Sequence, residues 1–484
     1  MVNPDALEGE DTTSDSFRDA ALHDAVNGLR ERKPISSASV AFYPWQRNTL
    51  LIALLITVLC LVFFLQPTLI ALTVMCTVGY VWTMADRLLL FTRGLDASSI
   101  VTISDERALA LTDDELPTYT ILVPAYDEPA VVGDLIAAMR AIDYPAEKLQ
   151  VLLLLEADDT ITIEAAEKAG VDKVVSILKV PAADPRTKPK ACNYGLHFST
   201  GEIITIYDAE DSPDPLQLRR VVATFADLPP NTACVQAKLA FHNGNQNLLT
   251  AWFTADYALW FNFILPGLMR SNSPIPLGGT SNHLRREVLD EIGAWDPFNV
   301  TEDADLGVRI AESGYRTAVL NSTTLEEANS DTINWIRQRS RWYKGYLQTW
   351  LVHMRRPVEL WRGLGPVGFL RFTLLMAGTP VVATLNMVFW LVSLGWILGQ
   401  PGVIQEVFPA YVYFPALASL VFGNAAVLYM NLVACRETRN ANLLIACLTA
   451  PLYWVLMSIA AIKGTYQLIR NPSYWEKTFH GLSG

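Results

Sequence analysis

The chain has 484 residues, room for two or three domains, and 51% of them are hydrophobic against only 18% charged. That balance is more apolar than an ordinary soluble fold and excludes a disordered chain. A formal charge of −12 with no basic tract argues against a nucleic-acid partner, and six scattered cysteines and six scattered histidines define neither a disulfide framework nor a zinc site.

Residues 1–45 are polar, acidic first and then basic at Arg30, Arg32 and Lys33. They lack the early apolar run of a cleavable signal peptide and read as a flexible cytoplasmic tail. Residues 46–90 hold an uncharged run from Asn48 to Ala85 with Gln66-Pro67 at its middle, long enough for a hairpin of two bilayer crossings. Arg47 before it and Arg87 and Arg93 after it place both ends in the cytoplasm.

Residues 110–345 change character. Apolar runs at 120–123, 151–155, 174–177 and 203–206 alternate with helical patterns such as Val131, Leu135, Ile136 and Met139. Strands separated by helices predict a mostly parallel, Rossmann-like α/β sheet covered on both faces, whose ligands bind beyond the carboxyl ends of the strands. Polar clusters fall there: Pro124-Ala125-Tyr126-Asp127-Glu128, Glu156-Ala157-Asp158-Asp159, and Tyr207-Asp208-Ala209-Glu210-Asp211. Carboxylates packed this closely repel one another unless a cation is nearby, and hard oxygen donors suit Mg²⁺ or Mn²⁺. The run from Trp252 to Leu268 contains Asp256 and reads as a buried or membrane-interface helix.

Two compact clusters follow. Thr301-Glu302-Asp303 opens a helical pattern carried by Leu306 and Ile310, where carboxylates suit both an N-terminus and chemistry. Gln338, Arg341 and Trp342 share neighbouring faces of another helix, and together offer an amide, a phosphate-binding guanidinium and a flat ring for a pyranose. Residues 346–370 mix basic and aromatic side chains, as an interface helix does. Residues 371–470 contain three further uncharged runs, with Arg436 and Arg439 marking one loop as cytoplasmic. The last run is read as re-entrant or interfacial, bent at Pro451, which keeps the tail at 471–484 cytoplasmic.

These clusters resemble the TED and QxxRW signatures of membrane-embedded family-2 glycosyltransferases: cellulose synthases, hyaluronan synthases and, in the run after Arg341, bacterial mixed-linkage β-glucan synthases. The resemblance covers roughly residues 45–481. It implies an α/β GT-A domain, cytoplasmic and inserted between transmembrane α-helices of a bacterial inner-membrane protein. It implies a processive inverting enzyme that extends a β-linked polysaccharide from a UDP-sugar, by resemblance UDP-glucose, and exports it through the bilayer, with accessory export proteins as further partners. Asp303 takes the role of base, beside Glu302. Ala125, Tyr126 and Glu128 are expected along the base and ribose, with Glu156 or Asp158 on the uridine. Lys190, chosen because Asn193 follows it at the family's spacing, is expected at the diphosphate with Gln338, Arg341 and Trp342. Asp208 and Glu210 match the D-x-D metal motif with Glu for the second Asp, and Asp211 is a substitute ligand. Gln236, Gly278, Gly279 and Thr280, with Trp342 stacked under the sugar, form the acceptor side. Trp475, Thr478 and His480 resemble the gating loop. No domain for sensing cyclic di-GMP is expected after it. The competing readings are a non-processive transferase acting on a lipid or short acceptor, and a receptor that binds nucleotide-sugar without catalysis.

Overall fold

The computed structural model describes residues 14–399, 402, 406, 409–438, 442–472 and 474–476. It opens with a helix, α1 (Asp15–Arg32), capped by the Ser14 hydroxyl. The expected flexible tail is therefore ordered here. Phe17, Ala21, Ala25 and Leu29 recur every four residues and bury one stripe, which docks the helix on the catalytic half. Helices α2 (Pro44–Phe63) and α3 (Leu65–Gly94) form the apolar hairpin.

A short helix, α4 (Asp105–Leu109), leads into β1 (Tyr119–Ala125), α5 (Val132–Arg140), β2 (Leu149–Glu156), α6 (Thr160–Ala169), β3 (Val175–Val180), α7 (Lys188–Leu196) and β4 (Ile203–Ile206). After these come β5 (Ser212–Pro213), α8 (Gln217–Asp227), β6 (Thr232–Phe241), α9 (Leu248–Leu259), α10 (Leu265–Arg270), β7 (Asn282–Arg285), α11 (Arg286–Ile292), α12 (Glu302–Glu312), β8 (Arg316–Glu326) and α13 (Thr332–His353). The strands make one eight-stranded sheet in the order β3-β2-β1-β4-β7-β6-β8-β5. The β3-β2-β1-β4 half is parallel, as the alternation of strand and helix predicts, and β7 runs antiparallel to both neighbours. Successive residues of β1 and β2 feed opposite cores. Ile121, Val123, Val151 and Leu153 meet α5 and α8, whereas Leu122, Leu152 and Leu154 meet α7. Truncating one of these leucines to alanine is worth about 2–5 kcal/mol.

The segment after β6 is buried against the domain over two-thirds of its most apolar window and contains a π-helical stretch at Trp260–Ile264, in line with a buried rather than a spanning helix. No boundary falls at residue 346, because α13 continues to His353. Helix α14 (Pro357–Thr373) then bends at Gly365, whose φ of +68° only glycine adopts at ease. Helices α15 (Thr379–Gly399), α16 (Ala410–Glu437), α17 (Leu443–Leu448) and α18 (Ala450–Arg470) complete the apolar part. Pro451 lies in the first turn of α18, where a missing N–H costs nothing, so it starts this helix instead of bending it. Six helices among the described residues are long and apolar enough to cross a membrane. Both ends of α18 meet the catalytic half: Thr449, just before it, accepts from the Trp252 indole, and Tyr474, just after it, accepts from Lys344.

Candidate active site

The cleft between the carboxyl end of the sheet, α12, α13 and the apolar helices encloses about 320 Å³. Its lining includes Asp208, Glu210, Gly278, Gly279, Thr280, Glu302, Asp303, Gln338, Arg341, Trp342 and Trp475, all singled out by sequence. A larger cavity of about 930 Å³ lies at the opposite end of the sheet, between α1, α7, α8 and α11, remote from these groups.

The cleft centres on Gly279. A Cβ there would stand 3.6 Å from Asp303 Oδ2, 3.7 Å from Lys188 Nζ and 4.0 Å from Asp208 Oδ2, so two carboxylates and an ammonium surround one point. Asp303 Oδ1 accepts from the Ala304 N–H at 2.7 Å, which fixes its rotamer. Burial raises its pKa to about 6, offset in part by that hydrogen bond and by Lys188. Glu302 is pushed up further, first by burial and then by the charge of Asp303. Lys188 pairs with Asp208 and donates to the Gly279 carbonyl at 2.7 Å. Burial opposes its charge, but Asp208 and Glu302 outweigh that and raise its pKa.

Helix α13 supplies the other wall. Arg341 lies 4.7 Å over the Trp475 ring and donates to the Glu476 carbonyl at 3.1 Å. The Glu476 carboxylate is held by Lys463 and Gln467, so the tail segment 474–476 is pinned across the cleft. Trp342 stacks on Tyr257, with centroids 6.4 Å apart and planes 23° apart, and Arg339 covers its ring at 4.6 Å. The Gln338 carbonyl is fixed by Asn329 at 2.9 Å.

Several expected site residues lie elsewhere. Lys190 is fully buried and pairs with Glu156 at 2.6 Å, so neither faces the cleft; the lysine that lines it is Lys188. Both lysines precede Ala191 and Asn193, and only the phase of α7 separates them. Gln236 is also buried: its amide holds the carbonyls of Thr280 and Ser281 and accepts from Gly278 N, so it shapes the glycine loop without touching its contents. Asp211 turns inward, accepting from Asp208 N at 2.7 Å and from the Thr280 hydroxyl, and braces the metal loop from behind. Ala125, Tyr126, Glu128 and Asp158 sit at the ends of β1 and β2, outside the cleft lining; Asp158 pairs with Arg186 at 2.7 Å. Thr478 and His480 lie outside the described residues. Glu326, at the end of β8, lines the cleft and was not flagged by sequence.

The acidic loop fits a hard divalent cation in kind. Asp208 and Glu210 face the cleft, while Asp211 Oδ1 is buried without a hydrogen-bond partner and carries a pKa raised by burial and by those two charges. Among the described residues no three acidic, histidine or cysteine side chains already form a cage. An ion would therefore be held by Asp208 and Glu210 and complete its shell with phosphate oxygens and water.

The parallel half-sheet, the acidic loop after β4 and the carboxylates at the start of α12 are arranged as in the GT-A fold. Residues 117–345 match the family described as Glycosyltransferase like family 2, and the chain spans just over half the length of the first curated relatives it matches. The chain is 27% identical over 285 residues to a beta-monoglucosyldiacylglycerol synthase of Synechocystis, covering 57% of this chain and 58% of that one. It is 27% identical over 250 residues to the catalytic subunit of cellulose synthase 1 of Komagataeibacter xylinus, covering 50% of this chain and 33% of that one. A mannosyltransferase of Pyrobaculum calidifontis, solved with GDP-mannose and Mn²⁺, superposes with a TM-score of 0.53 at 19% identity, covering 83% of this chain and 99% of that one, and shows the shared fold.

Proposed function

We propose that the protein is an inverting, metal-dependent glycosyltransferase of a bacterial inner membrane that extends a β-linked polysaccharide from a UDP-sugar, UDP-glucose by resemblance, with its catalytic domain on the cytoplasmic side. The acceptor hydroxyl attacks the anomeric carbon as the bond from that carbon to the diphosphate oxygen breaks. The proton goes to Asp303 and the charge to the departing nucleoside diphosphate. Lys188 and Arg341 neutralise that charge, and a cation held by Asp208 and Glu210 supplies further Lewis acidity when bound. Trp342 gives the acceptor sugar a flat face. Tyr126, Asp158 and Arg186 at the strand ends are assigned to the nucleoside.

One observation carries the processive form of this reading. The cleft shares Thr83, Arg87, Asp256, Tyr343, Thr379 and Met457 with a second cavity of about 140 Å³ among the apolar helices. Asn386, Asn424 and Asn431 line that cavity. Amides among apolar helices suit a polar passenger, and a neutral glycan is one. A second reading, transfer of one sugar to a lipid, is favoured by Leu90, Ile264, Leu374, Leu375 and Met376 on the same side of the cleft. UDP release by the purified protein, offered UDP-glucose, UDP-galactose, UDP-N-acetylglucosamine and UDP-glucuronate in turn with Mg²⁺ or Mn²⁺, tests the activity. A high-mass product supports polymerisation, a glycolipid supports the second reading, and turnover of no donor overturns both.

A further inference from the structure

The segment that joins α1 to α2 grips the loop that delivers the catalytic carboxylates. Asp296 is fully buried, seven residues before Asp303; its two oxygens accept from the Ser37 hydroxyl at 3.2 Å and from the Ala38 N–H. Arg355, just past α13, donates to the carbonyls of Ile35, Ser37 and Val40 and lies 4.2 Å over the Tyr43 ring. Gln46, in the first turn of α2, donates to the Leu351 carbonyl at 2.8 Å, and Lys33 reaches the Glu291 carbonyl at 2.9 Å. Residues 33–46 thus form a strap tied to both flanks of the site and continuous with an apolar helix.

The other side of the same loop is also fixed. Asn193 of α7 donates to the Trp295 carbonyl at 2.8 Å and to the Ala25 carbonyl of α1 at 3.2 Å. Gln348 of α13 accepts from Val300 N and donates to the Phe298 carbonyl. Residues 295–300 therefore have few free degrees of motion, and the strap adds a clamp from the N-terminal side of the matched domain. An unpaired buried carboxylate would be costly, so Asp296 has reason to stay where the strap holds it.

We infer that Asp296 and Arg355 are positioning residues for glycosyl transfer, and that the strap they bind sets the placement of Asp303. The inference rests on the proposed reaction. Neither residue lines the cleft, so both act through the 296–303 loop and leave the donor contacts alone.

The test compares full-length wild type with Asp296→Asn, which keeps shape but puts an amide against some of its three donors, with Arg355→Lys, which keeps charge but loses the planar fork that spans the strap carbonyls, and with the double variant. Ser37→Ala is the mild companion, removing one hydrogen bond from the strap side. Donor KM, kcat and the melting temperature are measured for each in detergent. The expected result is a fall in kcat of roughly tenfold to a hundredfold at near-constant donor KM. The double variant should fall no further than the worse single one, since one latch is broken in each. Folded variants with wild-type kcat, or losses that simply multiply in the double variant, would overturn the inference. A wild type that turns over no donor would instead remove the reaction on which it rests.

Discussion

Two lysine–carboxylate pairs stand two residues apart on α7 and do opposite things. At the end of β2, Lys190 and Glu156 are sealed in, with side-chain exposures of 0% and 9%. At the end of β4, Lys188 and Asp208 keep 17% and 34% of their surface and face the cleft. The sealed pair lies away from the cleft and holds α7 on the sheet, with Glu156 Oε2 buried without a hydrogen-bond partner. The open pair is an ammonium and a carboxylate that neutralise each other at the cleft, where the proposed reaction brings a diphosphate and a cation. Burial, more than residue type, separates a structural ion pair from a working one.

The sharpest way to break this comparison starts from Asp303, the proposed base, which the open pair flanks. Asp303→Asn should lower the transfer rate about 10²–10⁴-fold while nucleotide binding by calorimetry is retained; lost binding would mean that Asp303 is structural. Lys188→Met should cost about 10²–10³-fold in kcat with little change in melting temperature. Lys190→Met should do the reverse, losing about 3–5 kcal/mol of stability in denaturant titrations while the folded fraction keeps its turnover, because it strands Glu156 in the interior. Equal effects of the two substitutions on both readouts would erase the distinction.

A smaller effect sharpens it. Asp303 must be ionised to accept a proton, and its pKa is raised to about 6, so kcat/KM should fall as pH drops through about 6. Lys188 holds that pKa down, so Lys188→Met should move the acid limb to higher pH, whereas Lys190→Met should leave it in place. The least change is expected at the metal loop: Glu210→Gln should weaken Mn²⁺ binding, followed by electron paramagnetic resonance, less than Asp208→Asn does.

Much of this site was legible in the chain. Thr301-Glu302-Asp303 and Gln338, Arg341 and Trp342 announced themselves because caps and helix faces are local, and local rules survive folding. The choice of Lys190 over Lys188 failed for a non-local reason: the spacing to Asn193 fitted, but which lysine meets the sheet depends on how α7 crosses β1 and β2. Gln236 and Asp211 failed in the same way, since a polar side chain at a strand end can face the ligand or brace the loop beside it. Helix α1 was missed although Phe17, Ala21, Ala25 and Leu29 spell out its buried stripe, because small residues in a polar stretch carry a weak signal.

The enclosure of α13 has a consequence for the tolerance of the chain to change. From Asn334 to His353 no residue is exposed, for the cleft, α18, the 296–301 loop and α15 surround the helix. Gly464 of α18 sits so close that a Cβ there would come within 2.6 Å of the Ser340 carbonyl. Deep mutational scanning should therefore show losses along most of these twenty residues, each for the neighbour it touches. The graded losses along the helix would chart where chemistry gives way to the membrane.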